Sequence, residues 1–584
     1  MRLIAAITLI LGFQANAKAP DAIWYGGPIL TMNDKLPQAE AIAISDGKIT
    51  AVGARKDLLK TKSAATRLID LKGKTLLPGF IDAHSHVSMV GQQAISANLL
   101  SPPDGPITSI PDLQAALTEY IKASPTPKKY GMVLGMGYDD AQLKEQRHPT
   151  RQDLDKVSTE VPIVIMHQSG HFGVANSKAL AMAGVNKNSA NPPGGVIRRQ
   201  SNSEPNGVLE ENAFFLSLVK LFPKMTESQK IEMLEAGIKI YKSYGYTTVQ
   251  DGRSSPEQIA ANIAAAKSKR LDVDIVSYPD VLTPGTEELM KAPYFHDTTQ
   301  KPKYQNRFRI GGVKLTLDGS PQAKTAWLTK PYYKVPEGLP KNYSGYEVVP
   351  DAKVLEVLEQ SLRNHWQIIT HANGDRAIDQ LITAIRISEK KYPGVDVRPV
   401  LIHGQTLRKD QIADLKKLKI FPSLFPMHTF YWGDWHRTSV LGPERAENIS
   451  PTGWVLAENM KFTSHHDAPV VFPDSIRVLA STVNRTTRSD YVLGPEQRVD
   501  PLTALKSQTL WSAYQHFEEG SKGSLEVGKL ADFAILSENP LTIPPAQLIN
   551  IKVLETIKEG KSIYSRNPDK PEGNISYHNS HDSK

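Results

Sequence analysis

Hydrophobic and polar positions change rhythm along the chain. From Ala22 onward apolar residues come in short alternating runs, "AIWYGGPILTM", "AEAIAISDGKITAVG" and "TRLIDLKGKTLLPG". A period of two marks strands with one buried face, and "DGK" and "KGK" read as hairpin signals. The same rhythm returns near the other end in "GSLEVGKLADFAILS" and "INIKVLETIKEGKSIY". These distant β-rich ends predict one small sheet domain built from residues 20–75 and 523–565. Between them, apolar strands alternate with helical stretches, the pattern of parallel βαβ units. Eight strands are expected at 79–86, 246–251, 273–279, 309–318, 366–371, 398–403, 420–426 and 461–467. Ser255 before Pro256 is an N-cap signal for one intervening helix. Eight such units predict an α/β fold, a (β/α)8 TIM barrel over residues 76–522. The gap between the first two strands is far longer than one crossover helix needs, so an insertion is expected at about 95–235.

The first nineteen residues follow neither rhythm. "MRLIAAITLILGFQANAKA" has Arg2, an apolar run from Leu3 to Phe13, and small residues in "ANA". The run is too short to span a bilayer as a helix, and the order is that of a signal peptide over 1–19. Export to the periplasm or the outside follows as an expectation, with no membrane span in the mature chain. The 584 residues contain no cysteine, so neither a disulfide framework nor a lipid-attachment cysteine is available. Net charge is +8, but the basic residues are dispersed, which argues against a nucleic-acid partner. The tail 566–584 is polar and aperiodic and is expected to be disordered.

Candidate chemistry gathers at the predicted strand ends. "PGFIDAHSHV" places His84 and His86 one residue apart, hence on one side of an extended chain. Lys314 lies on the fourth strand, His371 ends the fifth in "IITHANGD", His403 ends the sixth in "VLIHGQ", and Asp467 ends the eighth in "TSHHDAPV". A lone strand histidine is more often a satisfied core residue. Four histidines and a carboxylate at strand ends, where barrel active sites lie, form a divalent-metal set suited to zinc.

"PGFIDAHSH", "HANGDRAID", "LIHGQ" and "HDAP" resemble the amidohydrolase superfamily, and "GGVKLTLDGS" resembles its YtcJ-like branch, amidohydrolase family 3. The resemblance implies His84, His86, His371, His403 and Asp467 as metal ligands, with one or two divalent ions per chain. It implies a carboxylated Lys314 bridging them in binuclear members, and a small β-sandwich domain built from both chain ends beside the barrel. Asp467 is the expected base, His371 a second catalytic residue, and a metal-activated hydroxide the attacking group on a C–N bond of a small molecule. An isomerase or a non-catalytic binding barrel are the alternatives, and a homo-oligomer is compatible with all three. The family usually has small residues before the aspartate; here stand His465 and His466. Parity turns His465 toward the site and His466 away. "HQSGHFGVANS" adds His171 as a candidate substrate contact, with a turn satisfied by backbone as the alternative. Tyr431, Trp432 and Trp435 are expected to form an apolar wall for substrate.

Overall fold

The computed structural model describes residues 18–221 and 224–567. The predicted leader and tail lie almost entirely outside those residues.

The eight expected core strands appear in two parallel sheets. One takes Phe80–Ile81, Tyr246–Ser254, Asp274–Pro279 and Phe308–Ile310 in chain order; the other takes Val313–Thr316, Ile368–Ala372, Val400–His403, Phe421–Leu424 and Thr463–Ser464. The predicted strand 309–318 is therefore split, and its halves belong to different sheets. The break falls at Gly311 and Gly312. A Cβ on Gly311 would press into Tyr278 and Val276, and one on Gly312 would lie 2.1 Å from the Gln367 carbonyl oxygen. The single closed ladder expected of a barrel is thus replaced by two ladders with looser joins. Lys314 bridges Asp280 at one join. At the other, the Asp467 N–H donates to the His84 carbonyl (3.1 Å) and the His86 N–H to the Ala468 carbonyl (2.9 Å).

Helices cover these sheets with apolar faces. Pro256–Lys267 begins with the expected cap: the Ser255 hydroxyl accepts from the Gln258 N–H and the Gln258 side chain returns a bond. Asp375–Lys391 buries Ala377, Ile378, Leu381, Ile382 and Ile385, the spacing of one helical face.

The chain ends meet in one eight-stranded sheet that includes Ala22–Leu30, Gln38–Ser45, Thr75–Pro78, Phe533–Leu536 and Val553–Lys558. "DGK" is a hairpin turn, with Asp46 and Gly47 both at positive φ (51° and 74°). "KGK" is not. Arg67–Asp70 and Thr75–Pro78 both run parallel to Ala22–Leu30, on either side of its irregularity at residues 25–29, and do not pair with each other. A buried ionic cluster ties this sheet to the core: Lys558 reaches both Asp274 and Asp532, Lys522 reaches Asp274 and Glu518, and Arg309 pairs with Glu518.

Residues 97–211 carry a third unit, a six-stranded mixed sheet that includes Val133–Tyr138, Ile163–His167, Phe172–Ala175 and Pro205–Glu211. It has apolar clusters of its own. Among the described residues no helix is long and apolar enough to cross a membrane.

Candidate metal centre

His84 and His86 lie beyond the end of the short first strand, and His86 precedes the helix Val87–Ala94. Their orientation is decided by partners on the neighbouring strand. The Gln250 side-chain N–H is committed to the Ala83 carbonyl, so its oxygen faces His84 Nδ1 at 2.6 Å and accepts a hydrogen bond from it. The Gly252 carbonyl, which can only accept, lies 2.5 Å from His86 Nδ1. Both rings therefore carry their proton on Nδ1 and turn a bare Nε2 lone pair inward. His86 Nε2 stands 3.2 Å and His84 Nε2 3.4 Å from the same carboxylate oxygen of Asp467.

The opposite side repeats the logic with the other nitrogen. His371 Nε2 lies 3.2 Å from the Gly319 carbonyl, an acceptor, so Nδ1 is the bare atom. That Nδ1 faces His403 Nε2 at 3.1 Å. His403 Nδ1 is 3.0 Å from His465 Nε2, and His465 Nδ1 is 3.1 Å from the Ser423 hydroxyl. A proton on each Nδ1 leaves His403 Nε2 bare as well. His465 thus stands behind His403 and orients it, the outer-shell arrangement that fixes a metal-ligating imidazole.

Lone pairs facing lone pairs at such distances repel unless a cation lies among them. Bonds of about 2.0–2.2 Å in a tetrahedron hold ligand atoms about 3.3–3.6 Å apart, close to the separations here. His84, His403 and Asp467 offer ligand atoms all within 4.8 Å of one another. The donor set therefore fits a divalent ion. Lys314 Nζ lies between the two halves, 3.0 Å from His84 Nε2. Its side chain is buried, and burial pushes its ammonium down to about 7. Asp467 (φ 56°) and His403 (φ 75°) both occupy the left-handed region, a strain that concentrates at functional sites.

The remaining sequence candidates divide. His171 is not a backbone-satisfied turn residue: its Nδ1 lies 2.9 Å from Glu211, and its ring centroid is 6.1 Å from that of His371. His466 packs on Tyr241 and Tyr246, with Nε2 3.4 Å from Asp82. The expected aromatic wall is corrected. Tyr431 and Trp432 are buried, and their polar atoms bond Asp104 and Asp139 of the third unit. They dock that unit onto the core, because a buried phenol or indole needs a partner and the third unit supplies one. Trp435 bonds the Gln322 carbonyl.

A second cluster, Asp139, Asp140 and His167, also brings ligand atoms together. There the Ser169 backbone N–H donates to His167 Nδ1 (3.0 Å), which leaves the proton on Nε2 facing Asp140 at 3.0 Å. The ring presents a donor rather than a lone pair, and the cluster is a hydrogen-bonded one. Sequence reading missed Gln250, Glu211 and Asp318, whose carboxylate lies 3.4 Å from His371 Nε2. Gln250 left a signal, a glutamine within the apolar run "TTVQDG".

Residues 67–564 match the model of a family described as the amidohydrolase family. The chain is 27% identical over 558 residues to YtcJ of Bacillus subtilis (strain 168), covering 93% of this chain and 99% of that one. It is 24% identical over 548 residues to N-substituted formamide deformylase of Arthrobacter pascens, covering 92% and 97%. Its fold is similar to that of an uncharacterized metal-dependent hydrolase of Pyrococcus horikoshii OT3, with a TM-score of 0.71, 23% identity, and 90% and 99% of the two chains covered.

Proposed function

Because the chain belongs to the amidohydrolase family, we propose that it is a metal-dependent hydrolase that cleaves an amide-type carbon–nitrogen bond in a small molecule. The observation that carries this reading is the set of bare imidazole lone pairs turned inward: those of His84 and His86 on the Asp467 carboxylate, with Lys314 against His84, and those of His371 and His403 on each other. The name of the Arthrobacter pascens relative, a deformylase of N-substituted formamides, supports the bond type.

His84 Nε2, His86 Nε2 and Asp467 would hold one divalent ion, and His371 Nδ1 and His403 Nε2 a second; zinc suits this imidazole–carboxylate set. Such an ion supplies Lewis acidity, lowering the pKa of water toward neutrality and polarising a carbonyl. Lys314 bridges the two halves as a carbamate. Its buried amine is the reactive form: the nitrogen bonds the carbon of CO2, an N–H proton leaves to solvent, and an anion results. Asp467 takes the proton of the attacking water as its oxygen bonds the substrate carbonyl carbon. It returns that proton to the leaving nitrogen as the C–N bond breaks. Glu211 holds His171 through Nδ1, which leaves Nε2 for the carbonyl oxygen or its flank. His371 orients the reacting group opposite Asp467.

The two core sheets, on this reading, are one (β/α)8 barrel interrupted at Gly311–Gly312, with residues 95–235 as an insertion and the chain ends as a separate small domain. Residues 1–19 are a leader, and the protein works in the periplasm or outside.

The test is metal analysis of the purified mature protein together with turnover of N-acyl amino acids, N-formyl amines, lactams and aryl esters in ¹⁸O-labelled water. One or two divalent ions per chain and ¹⁸O in the product acid are expected. A fully loaded protein that turns over none of these, or a product without label, overturns the reading.

A further inference from the structure

The second core strand does something unusual one residue beyond its contact with His86. Gln250 and Gly252 face the metal centre, so strict alternation would send residue 253 to the other face with Asp251, which accepts from Ser88 and Asn262. Instead the ladder with Asp274–Pro279 slips between Gly252 and Ser254, and Arg253 sits in the slip with φ 54°. A bulge of this kind re-aims a side chain. The left-handed backbone is costly for arginine and matches that of His403 and Asp467.

The Arg253 side chain is 39% exposed and is held by one bond, from Nε to Asp280 Oδ2 at 3.1 Å. The Asp280 backbone in turn pairs with that of Lys314. Arg253 directly follows Gly252, whose carbonyl holds His86, and its bonded partner Asp280 sits beside Lys314 along the backbone, which places it next to the metal centre. Its guanidinium carbon lies 5.6 Å from the Phe215 ring. Among the described residues no hydrogen bond engages its two terminal nitrogens.

We propose that Arg253 receives a substrate carboxylate, so that the preferred substrate is an amide with a carboxylate near the scissile bond, in its simplest form an N-acylated amino acid. This rests on the hydrolase reading above and narrows its substrate. A guanidinium fixed through Nε presents Nη1 and Nη2 as a fork that matches a carboxylate. Asp280, bonded to its Nε, already offsets part of its charge, which favours a singly charged carboxylate over a dianionic phosphate. Phe215 gives an apolar flank for the adjoining side chain.

The experiment compares N-acetylphenylalanine with N-acetylphenethylamine, which differ only by the carboxylate, on the metal-loaded native enzyme, Arg253→Gln and Arg253→Lys. A charge-assisted bidentate contact predicts a kcat/KM ratio of about 100 in favour of the acid, collapsing to about 1 in Arg253→Gln, with most of the loss in KM and partial recovery in Arg253→Lys. A native ratio near 1, or an unchanged ratio in Arg253→Gln, overturns the proposal. An arginine that only braces Asp280 would lower both substrates equally. If neither compound is hydrolysed, the hydrolase reading fails for this class, and calorimetry with N-acetylphenylalanine decides the site separately. Binding lost in Arg253→Gln upholds it; binding that is absent or unaffected by the substitution overturns it.

Discussion

Replacing Lys314 by alanine tests the bridge between the two halves of the metal centre. The lysine is buried, with Nζ 3.0 Å from His84 Nε2. Burial brings its ammonium to about 7. At pH 8 about nine-tenths of such an amine is neutral, against under about one per cent for an ordinary lysine near 10.4, a gain of about 200-fold in the form that adds CO2. On the proposed reading, the anion formed there would offset part of the charge of two divalent ions. Lys314→Ala should lose one of the two ions by elemental analysis and lower kcat/KM by about 1,000-fold, about 4 kcal/mol of transition-state stabilisation. Added acetate or propionate should restore part of both by supplying a carboxylate to the vacated space. Native protein equilibrated with ¹³C-bicarbonate should show a carbamate carbon resonance that Lys314→Ala lacks. A Lys314→Ala protein that keeps two ions and full turnover refutes the bridging role.

Asp467→Asn should fold, as read by circular dichroism, and lower kcat by about 100- to 10,000-fold, since an amide cannot carry the proton; near-native turnover would reassign Asp467 to structure. His171→Ala should lower kcat/KM at least about tenfold, about 1.4 kcal/mol, with metal content unchanged; equal kcat/KM would leave the Glu211–His171 pair as scaffold. Stability should depend on pH through Glu518. Burial opposes its charge, but Lys522 and Arg309 outweigh this and hold it at about 2, below the usual value near 4.3. A depressed carboxyl stabilises the fold above its unfolded pKa and loses that contribution as pH falls through the folded one. Glu518→Gln should therefore cost about 3 kcal/mol in urea unfolding at pH 7 and about half of that at pH 3; a pH-independent difference would show that the pairs are not ionised.

The order of strands and helices was legible because burial repeats at short range. The helix after Ser255 announces itself by a cap and a proline, and Asp375–Lys391 by an apolar stripe. The candidate ligands were legible for a related reason: polar side chains at the ends of apolar strands have no other explanation as a set. Three things were not. The split of the fourth strand depends on the Gln367 carbonyl, which is far along the chain from Gly312. The burial of Tyr431 and Trp432 depends on where the third unit docks. Above all, a sequence names an imidazole but not which of its nitrogens is bare. Gln250, the Gly252 and Gly319 carbonyls and His465 make that choice for His84, His86, His371 and His403. The sequence by itself determined which residues can hold a cation. Only the tertiary structure decided which atoms turn a bare lone pair inward, because a proton's place on a ring is set by partners from other strands, and periodicity along one strand carries no record of them.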